Sequence, residues 1–226
     1  MSDLLTLEEL DVDGAIQETG SKLDSHTRGA FLRNAGIGIG ALAGGGALMG
    51  TLPSLASAAT SATAASDVAI LNFALTLEYL ESSFYAEAVM KGALSGETKT
   101  FATVVAGHEA AHVAALKAAL GMSAVAEPKF DFKGTTSNQA MFQATSEVLE
   151  YTGVHAYLGQ VGNIKSKDIL AAAGSILPVE AWHASWIADL RRHGATPYPA
   201  PTAFASGLTM TQVLAAVKGT GFIVAG

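Results

Sequence analysis

The chain contains no cysteine. That removes disulfide frameworks, zinc–thiolate sites, iron–sulfur ligation and rubredoxin-type centres. Any bound metal must be held by oxygen and nitrogen, which suits iron or manganese, with zinc as a competitor. Basic residues are scarce: 13 Lys and Arg against 20 Asp and Glu give a formal charge of −7. A nucleic-acid surface needs the opposite balance, so no nucleic acid is expected as a partner. Charge is missing altogether between Arg33 and Asp67. The length, 226 residues with 50% hydrophobic, allows one or two domains.

The uncharged stretch sets apart the first part of the chain. Residues 1–25 are polar and acidic, and Thr27-Arg28-Gly29-Ala30-Phe31-Leu32-Arg33 comes next. A Gly-, Ala- and Leu-rich run then leads to Leu55-Ala56-Ser57-Ala58-Ala59. A basic element, an apolar run and a small-residue site describe an export signal. The Arg28 segment resembles the twin-arginine motif in degenerate form, with Gly29 where the second Arg belongs. The expectation is a signal and leader over 1–58, cleaved near Ala58, and an exported domain over 59–226 that is periplasmic, cell-surface or extracellular. A retained membrane anchor is one alternative, since the run is long enough, although seven glycines from Gly36 to Gly50 weaken it. A disordered cytoplasmic leader is the other. Membrane contact is expected only through this segment.

Beyond the leader the chain repeats itself. Leu77-Glu78-Tyr79 is followed by Tyr85, and Leu149-Glu150-Tyr151 by Tyr157. Glu109-Ala110-Ala111-His112 and Glu180-Ala181-Trp182-His183 form a second pair. Glu78 and Glu109 are 31 residues apart, Glu150 and Glu180 are 30 apart. On a helix, residues three apart share a face, so each Glu-x-x-His aims a carboxylate and an imidazole the same way. Each half thus reads as a helix with one Glu and then a helix with Glu-x-x-His. Four carboxylates and two imidazoles on four helices are the inventory of di-iron and di-manganese carboxylate bundles.

Helical periodicity places the four helices at about 67–91, 98–120, 138–160 and 166–193. Ser66 and Ser137 stand at cap positions, and Gly92 and Gly121 at stops. Glu78 falls in an otherwise apolar stripe of the first helix with Leu71, Ala74, Leu75, Ser82 and Tyr85; a charge there needs a partner or a metal. Pro178 inside the fourth helix predicts a kink or bulge just before Glu180. Short links make each pair an antiparallel hairpin. Helices of this length span about 35 Å at ~1.5 Å per residue, and the 121–136 link reaches about 50 Å when extended. It can therefore cross the whole bundle. The tail over 194–226 reads as packing material with a short helix after Thr209.

These residues resemble the ferritin-like superfamily, most closely its exported single-domain family that includes desiccation-related proteins. The resemblance covers about 66–193 and implies an all-α, ferritin-like four-helix bundle with a short C-terminal extension. Glu78 with Tyr85 resembles the first-helix pair of bacterioferritin and rubrerythrin. Glu109/His112 and Glu180/His183 match the two Glu-x-x-His motifs, and Glu150 matches the third-helix Glu, which the resemblance implies is a bridge. It further implies a site for two iron ions, with manganese, a mixed pair or zinc as alternatives, that meets dioxygen or peroxide. The cysteine domain that feeds electrons in rubrerythrin has no counterpart here, and nothing marks the fifth helix or cage contacts of a storage ferritin.

Six candidate ligands result: Glu78, Glu109, His112, Glu150, Glu180 and His183. Glu81 and Glu147, one turn from Glu78 and Glu150 on nearly the same face, are rivals or additional ligands. The repeat favours Glu78 and Glu150, since Glu81 would pair with Gly153. Tyr85 and Tyr157 lean back toward the site and could hold ligands from behind, or be core tyrosines. His108 points off the metal face and reads as a surface histidine or one that backs a ligand; His155 is off that face too. Arg191, Arg192 and His193 suit the negative end of the fourth helix. Trp182 and Trp186 read as core or an interface. The leading function is an oxidoreductase acting on ferrous iron or peroxide in stress protection. The rivals are a non-enzymatic stress or desiccation protein with a metal-binding bundle, and a membrane-tethered scaffold. A second copy of the chain remains a candidate partner.

Overall fold

Four long helices carry the structure: α1 (Ala65–Lys91), α2 (Gly96–Leu120), α3 (Gln139–Gln160) and α4 (Lys167–Arg192). They belong to a computed structural model that describes residues 65–224. The leader expected over 1–58 lies outside the described residues, and among those described no helix is long and apolar enough to cross a membrane. Helices α1 and α2 pack as one hairpin and α3 and α4 as another, with further contacts between α1 and α3 and between α2 and α4. The architecture is the all-α bundle with a long crossover that the periodicity predicts.

On the buried faces of the helices, two apolar clusters flank a polar middle. Phe84, Phe101, Phe142 and Ile187 belong to one buried cluster, Leu75, Leu116, Tyr157 and Ile169 to another. Glu78, Glu109, Glu150 and Glu180 fall between these clusters along their helices, each fully buried. In the first cluster the rings of Phe84 and Phe142 stack at 5.2 Å, and Phe132 of the crossover meets Phe84 edge-on at 5.4 Å.

The ends of the helices differ from expectation in two places. Helix α1 is already helical at Ala65, so Ser66 lies inside it rather than capping it. Asn138, not Ser137, caps α3, accepting from Met141 N at 3.0 Å. Helix α4 runs as continuous α-helix through Pro178, with no π turn; Gly174, whose carbonyl the proline ring would crowd, leaves the turn enough room. Ser166 caps α4, its side chain accepting from Ile169 N at 3.4 Å.

The tail does more than fill space. Thr209 caps α5 (Met210–Thr220) with a full capping box, and α5 buries Val213 and Val217. A two-residue strand, β1 (Lys129–Phe130) of the crossover, pairs antiparallel with β2 (Ile223–Val224), and Phe222 meets Phe132 at 5.5 Å. The tail crosses α3 backbone to backbone. Leu208 N donates to His155 O at 2.9 Å, and a Cβ on Gly159 would stand 1.9 Å from Leu208 O. His155 also contacts Ser206 O through Nδ1 at 2.5 Å. This imidazole, off the metal face as expected, anchors the tail.

One carboxylate ties the two hairpins together. Asp67 is fully buried and accepts from Lys165 N at 2.9 Å and Ser166 N at 2.8 Å, at the start of α4. The first turn of α1 and the N-terminus of α4 both favour a negative charge there. Asp67→Ala is expected to cost about 2 kcal/mol, the scale of hydrogen bonds to a charged acceptor. Urea denaturation of the variant beside the parent chain measures it, and an unchanged midpoint would count against this role.

Candidate metal centre

Helical geometry sends the mid-helix polar residues inward to one place. Glu78, Glu109, His112 and Glu180 offer one group of ligand-type atoms within 4.8 Å of one another. Glu109, Glu150, Glu180 and His183 offer a second group within the same limit. All six candidate residues are brought together, and all are buried. Glu109 and Glu180 belong to both groups, whereas Glu150 belongs to one. The shared position therefore falls to the Glu-x-x-His carboxylates of α2 and α4, not to Glu150 as the resemblance implied.

The tyrosines exchange partners between the halves. Tyr85, in the first half, donates to Glu150 Oε1; Tyr157, in the second, donates to Glu78 Oε1. Each hydroxyl occupies one carboxylate oxygen and leaves the other turned toward a histidine. Glu78 Oε2 lies 3.2 Å from His112 Nδ1, and Glu150 Oε2 lies 3.2 Å from His183 Nδ1. With its proton given to Glu150, Tyr85 accepts from Ser146 Oγ at 2.5 Å. His108, which the sequence placed off the metal face, backs the site: its Nδ1 is 2.8 Å from His183 Nε2 and the two rings stack at 5.1 Å.

The two rivals part ways. Glu147 is tied to Arg191 and Arg192 at the end of α4 and joins neither group. Those arginines, already suited to the helix end, draw it there. Glu81 is 3% exposed and stays beside the cluster, though it too joins neither group. A Cβ on Gly153 would stand 2.6 Å from Glu180 Oε2 and 3.5 Å from Glu81 Oε1, so the glycine makes room for both carboxylates. Of the tryptophans, only Trp186 packs inward, edge-on to Phe101 at 5.2 Å; Trp182 is exposed.

The electrostatics are those of crowded, buried acids. Burial raises Glu180 well above the carboxylate range, and Glu109 and Glu78 add to it. Glu109 rises to about 7, through burial and then Glu78. Burial pushes Glu81 up too, reinforced by Glu180 and Glu150. Glu78 goes the other way: burial would raise it, but the His112 charge outweighs this. Burial would discharge His183, yet the Glu109 and Glu150 carboxylates lift it to about 10, and His112 is raised by Glu78 in the same way. His108 falls to about 4 through burial and then the His183 charge. It is thus neutral and can accept from His183 Nε2.

A buried polar atom without a partner is costly, and five cluster here. Glu109 Oε1, Glu150 Oε2, both Glu180 oxygens and His183 Nδ1 have no hydrogen-bond partner. His183 Nδ1 lies 3.1 Å from Glu109 Oε1 without hydrogen-bond alignment. Oxygen and imidazole atoms converging without hydrogen-bond partners fit a cation.

A family model for the ferritin-like domain matches residues 66–193. The chain belongs to the ferritin-like domain family. The matched span of this ferritin-like chain runs from the first turn of α1 to the residue after α4. No curated protein matches it.

The spacing names the six cluster residues and offers His108 as a surface or ligand-backing histidine, but gives Ser146 no role. Their signal is faint. His108 precedes a Glu-x-x-His motif, and Ser146 lies one turn before Glu150. Tyr85→Phe and Tyr157→Phe each strip a buried carboxylate of a hydrogen bond. Each is expected to lower the stability of the metal-free chain by roughly 1–2 kcal/mol. Chemical denaturation reads this directly; a neutral effect would mean the hydroxyls are not bonded to Glu150 and Glu78.

Proposed function

We propose that this ferritin-like protein holds two iron or manganese ions and reacts with dioxygen or peroxide, as an exported oxidoreductase in stress protection. The observation that carries the reading is the pair of ligand-type groups that share Glu109 and Glu180, with five buried, unpartnered atoms on Glu109, Glu150, Glu180 and His183. Glu78 and His112 would hold one ion, Glu150 and His183 the other, and Glu109 and Glu180 could offer an oxygen to each. Four carboxylates balance two divalent ions, which makes the loaded site neutral and tolerant of burial.

A reduced metal pair supplies two electrons, the number that takes one peroxide to water. The chain's own residues prepare the site. Tyr85 and Tyr157 each fix one oxygen of a carboxylate, so that Glu150 and Glu78 present the other inward. His183 is held through Nε2 by neutral His108, which leaves Nδ1 as the ligating atom. The apolar clusters on either side, around Phe84 and around Leu75, keep bulk water out.

Metal analysis of the protein is expected to give two ions per chain, the complement of this ligand set. Glu78→Ala and Glu150→Ala should each lower metal content, while Glu147→Ala, which only frees two arginines, should not. Stopped-flow absorbance of the reduced, metal-loaded protein mixed with peroxide should change faster than free metal. His112→Ala and His183→Ala should abolish the change while helicity persists. Two bound ions with no reaction beyond that of free metal would favour the non-enzymatic stress protein instead.

Binding must also depend on pH. In the metal-free chain His183 keeps its proton up to about 10 and Glu109 up to about 7. Both protons must leave before these atoms can bind a cation. Apparent Mn(II) affinity should therefore rise with pH, about tenfold per unit for each proton displaced. Titrations between about pH 6 and pH 8 test this, and a flat profile would contradict it.

A further inference from the structure

The two halves of the cluster match in their six donors but not in the residues around them. Helices α1 and α3 superimpose in sequence with an offset of 72 residues, from Glu78 to Glu150 and Tyr85 to Tyr157. Helices α2 and α4 do so with an offset of 71, from Glu109 to Glu180 and His112 to His183. Three polar residues at the site break this symmetry. Glu81 corresponds to Gly153, His108 to Val179, and Ser146 to Ala74. In each pair only one member can donate, accept or ligate.

All three fall on the same side. Ser146 supports Tyr85, which holds Glu150; Tyr157, which holds Glu78, has only Ala74 at the matching place. His108 holds His183; Val179, at the matching place for His112, offers no hydrogen bond. Glu81 faces Gly153, one turn beyond Glu150 on α3, and its carboxyl and that of Glu180 converge on that glycine. Tyr85, one turn along α1 from Glu81, is the residue that reaches Glu150. Exposure agrees: the His183 side chain is 3% exposed and that of His112 11%.

We propose that the two ion positions are unequal, with Glu81 as a further oxygen donor and His108 as a positioning residue for His183. The position formed by Glu109, Glu150, Glu180 and His183 then fills first and holds its ion longer. The position of Glu78 and His112 is the exchangeable one. An added carboxylate oxygen raises the donor count of the first ion. The His108 contact fixes the His183 tautomer and ring, a support whose loss typically costs 10–100-fold in metal affinity. This rests on the reading that the cluster binds two ions.

The test is a Mn(II) titration of the metal-free full chain, followed by calorimetry and by the electron paramagnetic resonance of isolated Mn(II). The parent chain should bind in two steps separated by about tenfold or more. Glu78→Ala should keep the tight ion and Glu150→Ala should lose it. Glu81→Gly and His108→Val copy the other half, and each should weaken the tight step by roughly 10–100-fold while leaving the weak one in place. His108→Gln keeps an acceptor for His183 Nε2 and should restore it. Glu81→Gln, of equal size, replaces Glu81→Gly if circular dichroism shows lost helicity. Two equal steps in the parent chain, weakening of the other step alone, or His108→Gln behaving as His108→Val would each overturn the inequality. A chain that binds no Mn(II) would overturn the ion-binding reading itself, and this inference with it.

Discussion

Burying like charges is the constraint on which the structure depends. Glu78, Glu109, Glu150 and Glu180 sit fully buried between two apolar clusters, with Glu81 beside them. In an apolar interior each ionised carboxylate carries a desolvation cost, and its neighbours add repulsion. Without a cation the chain answers with protons and hydrogen bonds. Glu180 and Glu81 are pushed toward the protonated form, His112 and His183 toward the charged form, and two tyrosines donate to Glu78 and Glu150. Five atoms are still left without partners. The rest of the fold can be understood as what holds such a cluster in place.

Rigid helices provide that hold. Each brings one carboxylate or one Glu-x-x-His pair to the same level, with aromatic and aliphatic layers above and below. The hairpins are locked to each other by groups that reach between them. Asp67 of α1 accepts from the backbone just before α4, and the tyrosine of each half bonds the carboxylate of the other. The tail extends the tie by crossing α3 at Gly159 and pairing with the crossover strand. An internal repeat thus yields one site rather than two. Within it, the departures from symmetry at Glu81, His108 and Ser146 gather about Glu150 and His183.

Much of this was legible in the sequence because helical geometry is local. A period near 3.6 residues fixes which side chains share a face, so the two Glu-x-x-His pairs and the apolar stripes named the four helices, their hairpins and the six donors. The link length alone allowed the crossover. Where a second helix decides, the sequence was silent or misleading. Glu81 and Glu147 occupy similar faces one turn from a donor. One stays at the cluster because Gly153 opposite leaves room; the other leaves because Arg191 and Arg192 stand within reach.

The same boundary separates the remaining cases. Sequence alone determined the four helices, the six donors and their chemistry of oxygen and imidazole without thiolate, since these derive from residue type and spacing. Tertiary structure alone decided that Glu109 and Glu180 are shared in place of Glu150, that Tyr85 and Tyr157 bond across the halves, and that His108 backs His183. Spacing along one helix sets the direction of a side chain. Only the packing of a second helix against it sets what that side chain meets.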